Sequence, residues 1–246
     1  MLLNHFSPIR TASYLLLASL AAIAQAGTLD VNVVDRDGQP AADVVVLVQV
    51  PNQPNAKPAA APVVIAQQDL RFQPFLTVVP IGSTLRFVNK DSYDHHVRST
   101  PSGPLSSMPA VEYFELRLDG TGAPASSGGS SYGGYDDYNN KPAAPAKKKS
   151  GTSSADVKAD NAGPIGLGCH IHGSMRGQVY VSATPWFAKT DAKGVAHIEG
   201  VPDGAAEVVV WHPDQLQDQA SVKVQVGAAP AKVDAALNFT PKRRRG

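Results

Sequence analysis

A chain of 246 residues, 43% hydrophobic and 17% charged, has room for one large domain or two smaller ones and enough apolar mass for a real core. Lys and Arg number 22 against 21 Asp and Glu, a near-neutral balance that excludes a basic nucleic-acid-binding surface. A single cysteine excludes a disulfide framework within the chain.

The first element is an apolar run over residues 14–23, preceded by Arg10 and closed by Ala24-Gln25-Ala26, the small-x-small pattern of a signal-peptidase site. Residues 1–26 therefore read as a cleaved export signal, the mature chain starting near Gly27 in a periplasmic or otherwise exported setting. The run is too short to span a bilayer, which needs roughly 20 apolar residues, and no later stretch approaches that length. No transmembrane segment is expected. Removing the signal takes away Arg10 and no carboxylate, leaving the charges balanced.

The mature chain reads almost entirely as strand. Leu29, Val31 and Val33 alternate with polar residues, Asp37-Gly38 marks a turn, and residues 44–50 continue as a valine-rich run, so 27–52 forms the first strands. After a Pro/Ala/Gln linker, strand character returns at 63–65, 74–80, 84–88, 112–118, 165–169 and 178–181. Within this region, residues 120–161 are dominated by Gly, Ser, Pro, Ala, Tyr and Lys. They read as a disordered insertion, because that composition cannot offset a backbone entropy cost of roughly 1–2 kcal/mol per residue. From 184 to 240 the strands resume at 207–211, 221–226 and 232–239, with turns at Asp191-Ala192-Lys193-Gly194 and Pro202-Asp203-Gly204. Residues 241–246 are a short basic tail. The expected class is all-β, with no stretch of the mature chain long enough to read as a helix.

The chemistry concentrates in two strings. In Gly168-Cys169-His170-Ile171-His172-Gly173-Ser174-Met175, a thiol at the end of a strand is followed at plus three by an imidazole and at plus six by a thioether. Ile165, Leu167 and Cys169 share one strand face by the period of two, which aims the thiol at the core. Thiolate and thioether are soft ligands, a mixture that suits copper better than zinc. The second string, Asn89-Lys90-Asp91-Ser92-Tyr93-Asp94-His95-His96, offers two further histidines after another strand. Two His, one Cys and a weak axial Met make the electron-transfer copper arrangement.

On these residues, the stretches 63–118 and 162–182 resemble the cupredoxins, most closely the amicyanin and plastocyanin kinds. The resemblance rests on Asn89 followed by His95, Gly163 six positions before Cys169, and Cys-x-x-His-x-x-Met leading into Arg176-Gly177. It implies a cupredoxin Greek-key β-sandwich over 60–183 carrying one type 1 copper ion. It further implies that His95, Cys169 and His172 are the strong ligands, that Met175 is the axial one, and that His172 is the electron port. His96 replaces the Asn that in the family staples the two ligand loops, although its backbone N–H can still donate to the Cys169 sulfur. As the non-ligand of the pair, His96 is expected at the surface, as is His170. Residues 27–52 with 184–240 resemble the carboxypeptidase-regulatory or transthyretin-like sandwich, implying a second small β-sandwich built from both ends of the chain. His197 and His212 are expected as surface or capping residues there.

The function implied is that of a monomeric one-electron carrier between extracytoplasmic redox proteins, not an enzyme. Two other classes compete: a copper-handling protein in which His96 and His170 help pass the metal on, and a structural β-sandwich binding module. A multicopper oxidase would place a His immediately before the Cys, where Gly168 stands, and a binuclear copper centre would need a second thiolate.

Overall fold

The computed structural model describes residues 26–53, 55–120 and 153–242. The expected signal, all but the edges of the low-complexity insertion, and the tail beyond Lys242 lie outside them. Among the described residues the fold is all-β, the one helical element being a 3₁₀ turn at Pro104–Ser106.

In chain order the strands are β1 (Ala26–Val34), β2 (Val45–Gln49), β3 (Val63–Gln68), β4 (Arg71–Gln73), β5 (Leu76–Pro80), β6 (Ser83–Asn89), β7 (His95–Thr100), β8 (Glu115–Leu118), β9 (Ser154–Ala159), β10 (Gly163–Cys169), β11 (Arg176–Ser182), β12 (Phe187–Lys189), β13 (Val195–Pro202), β14 (Gly204–Trp211), β15 (Val222–Val226) and β16 (Ala231–Ala236). They form four sheets, ordered β13-β1-β16, β12-β2-β14-β15, β5-β11-β10-β7-β8 and β4-β3-β6-β9.

The first two sheets enclose one core. Along β1 every second residue is buried, and Leu29, Val31 and Val33 meet Val46, Val48, Val208 and Val210 from the facing sheet. The other two sheets enclose a second core of Ile65, Leu85, Phe87, Val97, Leu118, Ile165, Leu167 and Val179, to which Cys169 and Met175 also belong. Each such side chain contributes about 1.5–3 kcal/mol when taken fully out of water.

A third apolar cluster joins the two sandwiches. Val45, Leu47 and Trp211 pack against Leu76 there, with Val78 and Tyr180 partly buried and the Tyr180 and Trp211 rings 4.9 Å apart. This explains why residues 44–48 read as an unbroken apolar run. Val46 and Val48 face the first core while Val45 and Leu47 face the junction, so β2 is buried on both sides.

The structure corrects one expectation, adds a strand and decides an alternative. The insertion ends earlier than 161, because β9 occupies Ser154–Ala159 and pairs antiparallel with β6 from Ser83↔Ala159 to Val88↔Ser154. Ala155 and Val157 pack against the second core and Ala159 is buried in it, so this polar edge strand needs only small residues on one face. β4 carries no strand signal in the sequence; it pairs with β3 through a two-residue turn, Asp69-Leu70, both at positive φ. Finally, of the two places expected for His212, surface or cap, the structure gives the second: it is buried, its Nδ1 accepting the Asp214 N–H at 3.0 Å and its ring lying beside Phe239.

Close packing sets the glycines around the site strand. A Cβ on Gly166 would lie 2.6 Å from the Pro101 carbonyl oxygen, and one on Gly177 would lie 2.8 Å from the Phe72 side chain. Glycine lets β10 and β11 approach their neighbours at these two points.

Candidate metal centre

Adjacent strands carry the two strings to one end of the second sandwich. β7 opens with His95 and β10 closes with Cys169, and their antiparallel register sets Cys169 opposite Val97. Beyond Cys169 the chain turns back at once. His170 N–H donates to the His96 carbonyl at 2.8 Å, and Met175 N–H donates to the His172 carbonyl at 3.0 Å before β11 begins.

The result is a triangle of three donor atoms. His95 Nδ1 lies 3.2 Å from His172 Nδ1, and Cys169 Sγ lies 3.7 Å from the first and 3.5 Å from the second. A point equidistant from all three lies about 2.0 Å from each, within the range of metal–imidazole bonds and slightly short for a zinc–thiolate bond of about 2.3 Å. Among the described residues this is the one group of three or more His, Cys, Asp or Glu side chains that can hold a metal ion. His95 and Cys169 are buried and His172 is half-buried. Met175, the fourth candidate, is buried at 1% exposure in the same core cluster as Cys169.

Hydrogen bonds from outside the triangle hold its corners. His96 N–H points at Cys169 Sγ at 3.4 Å, a backbone donor that stabilises negative charge on sulfur. His95 Nε2 lies 2.8 Å from Asp91 Oδ2, both side chains being buried. An ionised carboxylate can only accept, so Nε2 carries the proton and Nδ1 keeps its lone pair for the triangle. Burial pushes the Asp91 carboxyl up, but hydrogen bonds from His95 and from the Asp69 and Leu70 amides outweigh it and hold the group below the ordinary carboxylate value. Burial, reinforced by the nearby His95, pushes His172 below the usual histidine value, which keeps its ring neutral and free to ligate at neutral pH.

At the outer edge, the Tyr93 ring lies edge-on to both His95 and His172, each at 5.4 Å, and the exposed Ile171 flanks His172. His96 departs from expectation: it is half-buried, with Nε2 2.8 Å from Glu115 Oε1. Burial lowers its pKa against the pull of Glu115. His170 is exposed, its ring 5.4 Å from that of His96, and His197 lies on the surface between Asp30 and Glu199. Asp91 is the contributor that ligand spacing alone does not single out. Its signal is positional, an acid four residues before the first histidine in a loop that must turn back on itself.

No family model matches the chain, and no curated protein does. Among solved structures, the chain is similar to a mutant amicyanin in the Cu(I) form, at 16% identity over 55% of this chain and 98% of that one, with a TM-score of 0.31. It is also similar to a purple cupredoxin from Nitrosopumilus maritimus, at 16% identity over 50% of this chain and 99% of that one, again with a TM-score of 0.31. An oxidised mutant of amicyanin matches at 14% identity, 55% and 98% coverage, and a TM-score of 0.31.

Proposed function

We propose that this is an exported type 1 copper protein that carries one electron at a time between extracytoplasmic redox partners. In this reading His95, Cys169 and His172 would be the strong ligands and Met175 a fourth, weaker one. The single observation that supports it best is the triangle of two Nδ1 atoms and one Sγ, all within 3.7 Å of one another and mostly shielded from water. The donor chemistry agrees, since thiolate and imidazole together serve both oxidation states of copper, and copper cycling between those states supplies the electron transfer.

The chain's own residues do the rest. The two strand ends fix His95 and Cys169, so little rearrangement accompanies a change of charge at the centre. The His96 amide and Asp91 orient two of the three corners. His172, half-buried beside the exposed Ile171, is the corner nearest solvent and the point where a partner approaches.

The test is to load the full chain with one equivalent of copper(II) and cycle it with reductant and oxidant while following the visible thiolate-to-copper band. A carrier loses and regains the band over repeated cycles with the metal retained. A protein that instead gives up its copper rapidly to a chelator and forms no stable coloured state is a copper handler, for which the His96 and His170 pair beside the site would be the transfer point.

A further inference from the structure

Asp91 is built into the site more firmly than a loop carboxylate needs to be. Its backbone N–H donates to Asn89 Oδ1 at 2.9 Å, fixing the chain direction just after β6. Its Oδ1 accepts the Asp69 N–H at 2.8 Å and its Oδ2 the Leu70 N–H at 3.4 Å. Both donors sit in the tight β3–β4 turn at φ 54° and 59°. A leucine in the left-handed region is uncommon and strained, and here that conformation aims two successive amides at one carboxylate. The oxygen that accepts from Leu70 also faces His95 Nε2 at 2.8 Å, and both side chains are buried, Asp91 at 8% and His95 at 1% exposure.

We propose that Asp91 is a positioning residue that fixes the His95 tautomer and, through its buried negative charge, biases the centre toward copper(II), lowering its reduction potential. The proposal rests on the copper reading given above. A metal-ligating imidazole that donates its other N–H to a carboxylate becomes a stronger donor, which favours the higher oxidation state. The full negative charge acts across one imidazole ring in a medium where charges are weakly screened, so it stabilises the more positive ion further. A neutral acceptor in the same place would keep the tautomer and lose the charge. The backbone amides serve the same end, because both donate to the carboxylate oxygens and hold them in register with Nε2.

The experiment compares the full chain, wild type and Asp91→Asn, each loaded with one equivalent of copper, by redox titration of the visible band. Asn retains an oxygen that can accept from Nε2, so the expected result is a preserved band with the preference for copper(II) over copper(I) reduced about tenfold. For a one-electron couple that is a rise of about 59 mV. Asp91→Glu should return the potential toward that of the wild type. Bands in both proteins with equal potentials would overturn the role of Asp91 and leave the copper reading standing, whereas a wild type with no band would remove both. A second measurement needs no variant: in the copper(I)-loaded wild type, proton–nitrogen correlation spectra should show a His95 Nε2–H that exchanges slowly with water. Rapid exchange of that proton would also overturn the proposal.

Discussion

The side chain of Asn89, 1% exposed, engages the backbone at both ends. Its Nδ2 lies 2.8 Å from the Tyr93 carbonyl, 3.0 Å from that of Asp119 and 3.3 Å from that of Leu118, while its Oδ1 accepts the Asp91 N–H. Its own backbone N–H donates to the Ser153 carbonyl at 2.7 Å. One residue thus ties the His95 loop to the two chain ends that flank residues 121–152. Asn89→Ala removes these bonds, including those to the buried Leu118 carbonyl and the buried Asp91 amide, and the expected cost is about 3 kcal/mol, the upper end for a buried polar group left unsatisfied. Urea unfolding checks this, with a lower midpoint at an unchanged slope. In the sequence Asn89 stood out through its spacing to His95. Two of the carbonyls it bridges, those of Leu118 and Asp119, come from a segment far along the chain, and only the folded backbone brings them to it.

At the scale of strands, the β1–β13 pair sets Asp30 directly opposite His197, with Asp30 Oδ1 2.6 Å from Nδ1 and Glu199 Oε1 3.2 Å from Nε2. Hydrogen bonds to these two carboxylates raise the His197 pKa above the ordinary histidine value. A group whose folded pKa is raised gives stability that is fully present below its unfolded pKa and is lost as pH rises through the folded one. The expected outcome is that wild type loses Tm relative to His197→Gln as pH rises past the ordinary histidine value, and that the His197 ring resonances titrate above that value. Both are small effects at an exposed pair, and salt diminishes them. The strands themselves were legible wherever period two or a valine run marked them, as in β1 and β2. β9 escaped because Ala155, Val157 and Ala159 make a modest apolar face in a polar segment, next to a low-complexity run that masks it. β4 escaped because three residues after a tight turn carry too little pattern of their own.

At the largest scale, the described residues form three apolar clusters, one inside each sandwich and one where Val45, Leu47, Trp211 and Leu76 meet between them. The candidate centre lies where β7 begins and β10 ends, in contact with the second cluster through Cys169 and Met175. Four candidate ligands could be named from spacing, because strand-end Cys-x-x-His-x-x-Met is a local pattern that one loop can close. The choice of His95 over His96 came from register, and in the fold His95 Nδ1 is the one in the triangle while His96 turns outward to Glu115. The hydrogen-bonded shell behind the triangle was not legible in the same way. Asp91, Asp69 and Leu70 approach one another only through the β3–β4 turn and the loop after β6, which are separate in sequence.

The most direct measurement is the absorption and electron-spin spectrum of the full chain with one equivalent of copper(II), taken beside Cys169→Ser. A single copper per chain with an intense visible band and a thiolate-type spin signal, both abolished by Cys169→Ser in a protein that still folds, is what a centre built on His95, Cys169 and His172 requires. A colourless wild type fully loaded with copper, or a spectrum that Cys169→Ser leaves unchanged, would contradict it.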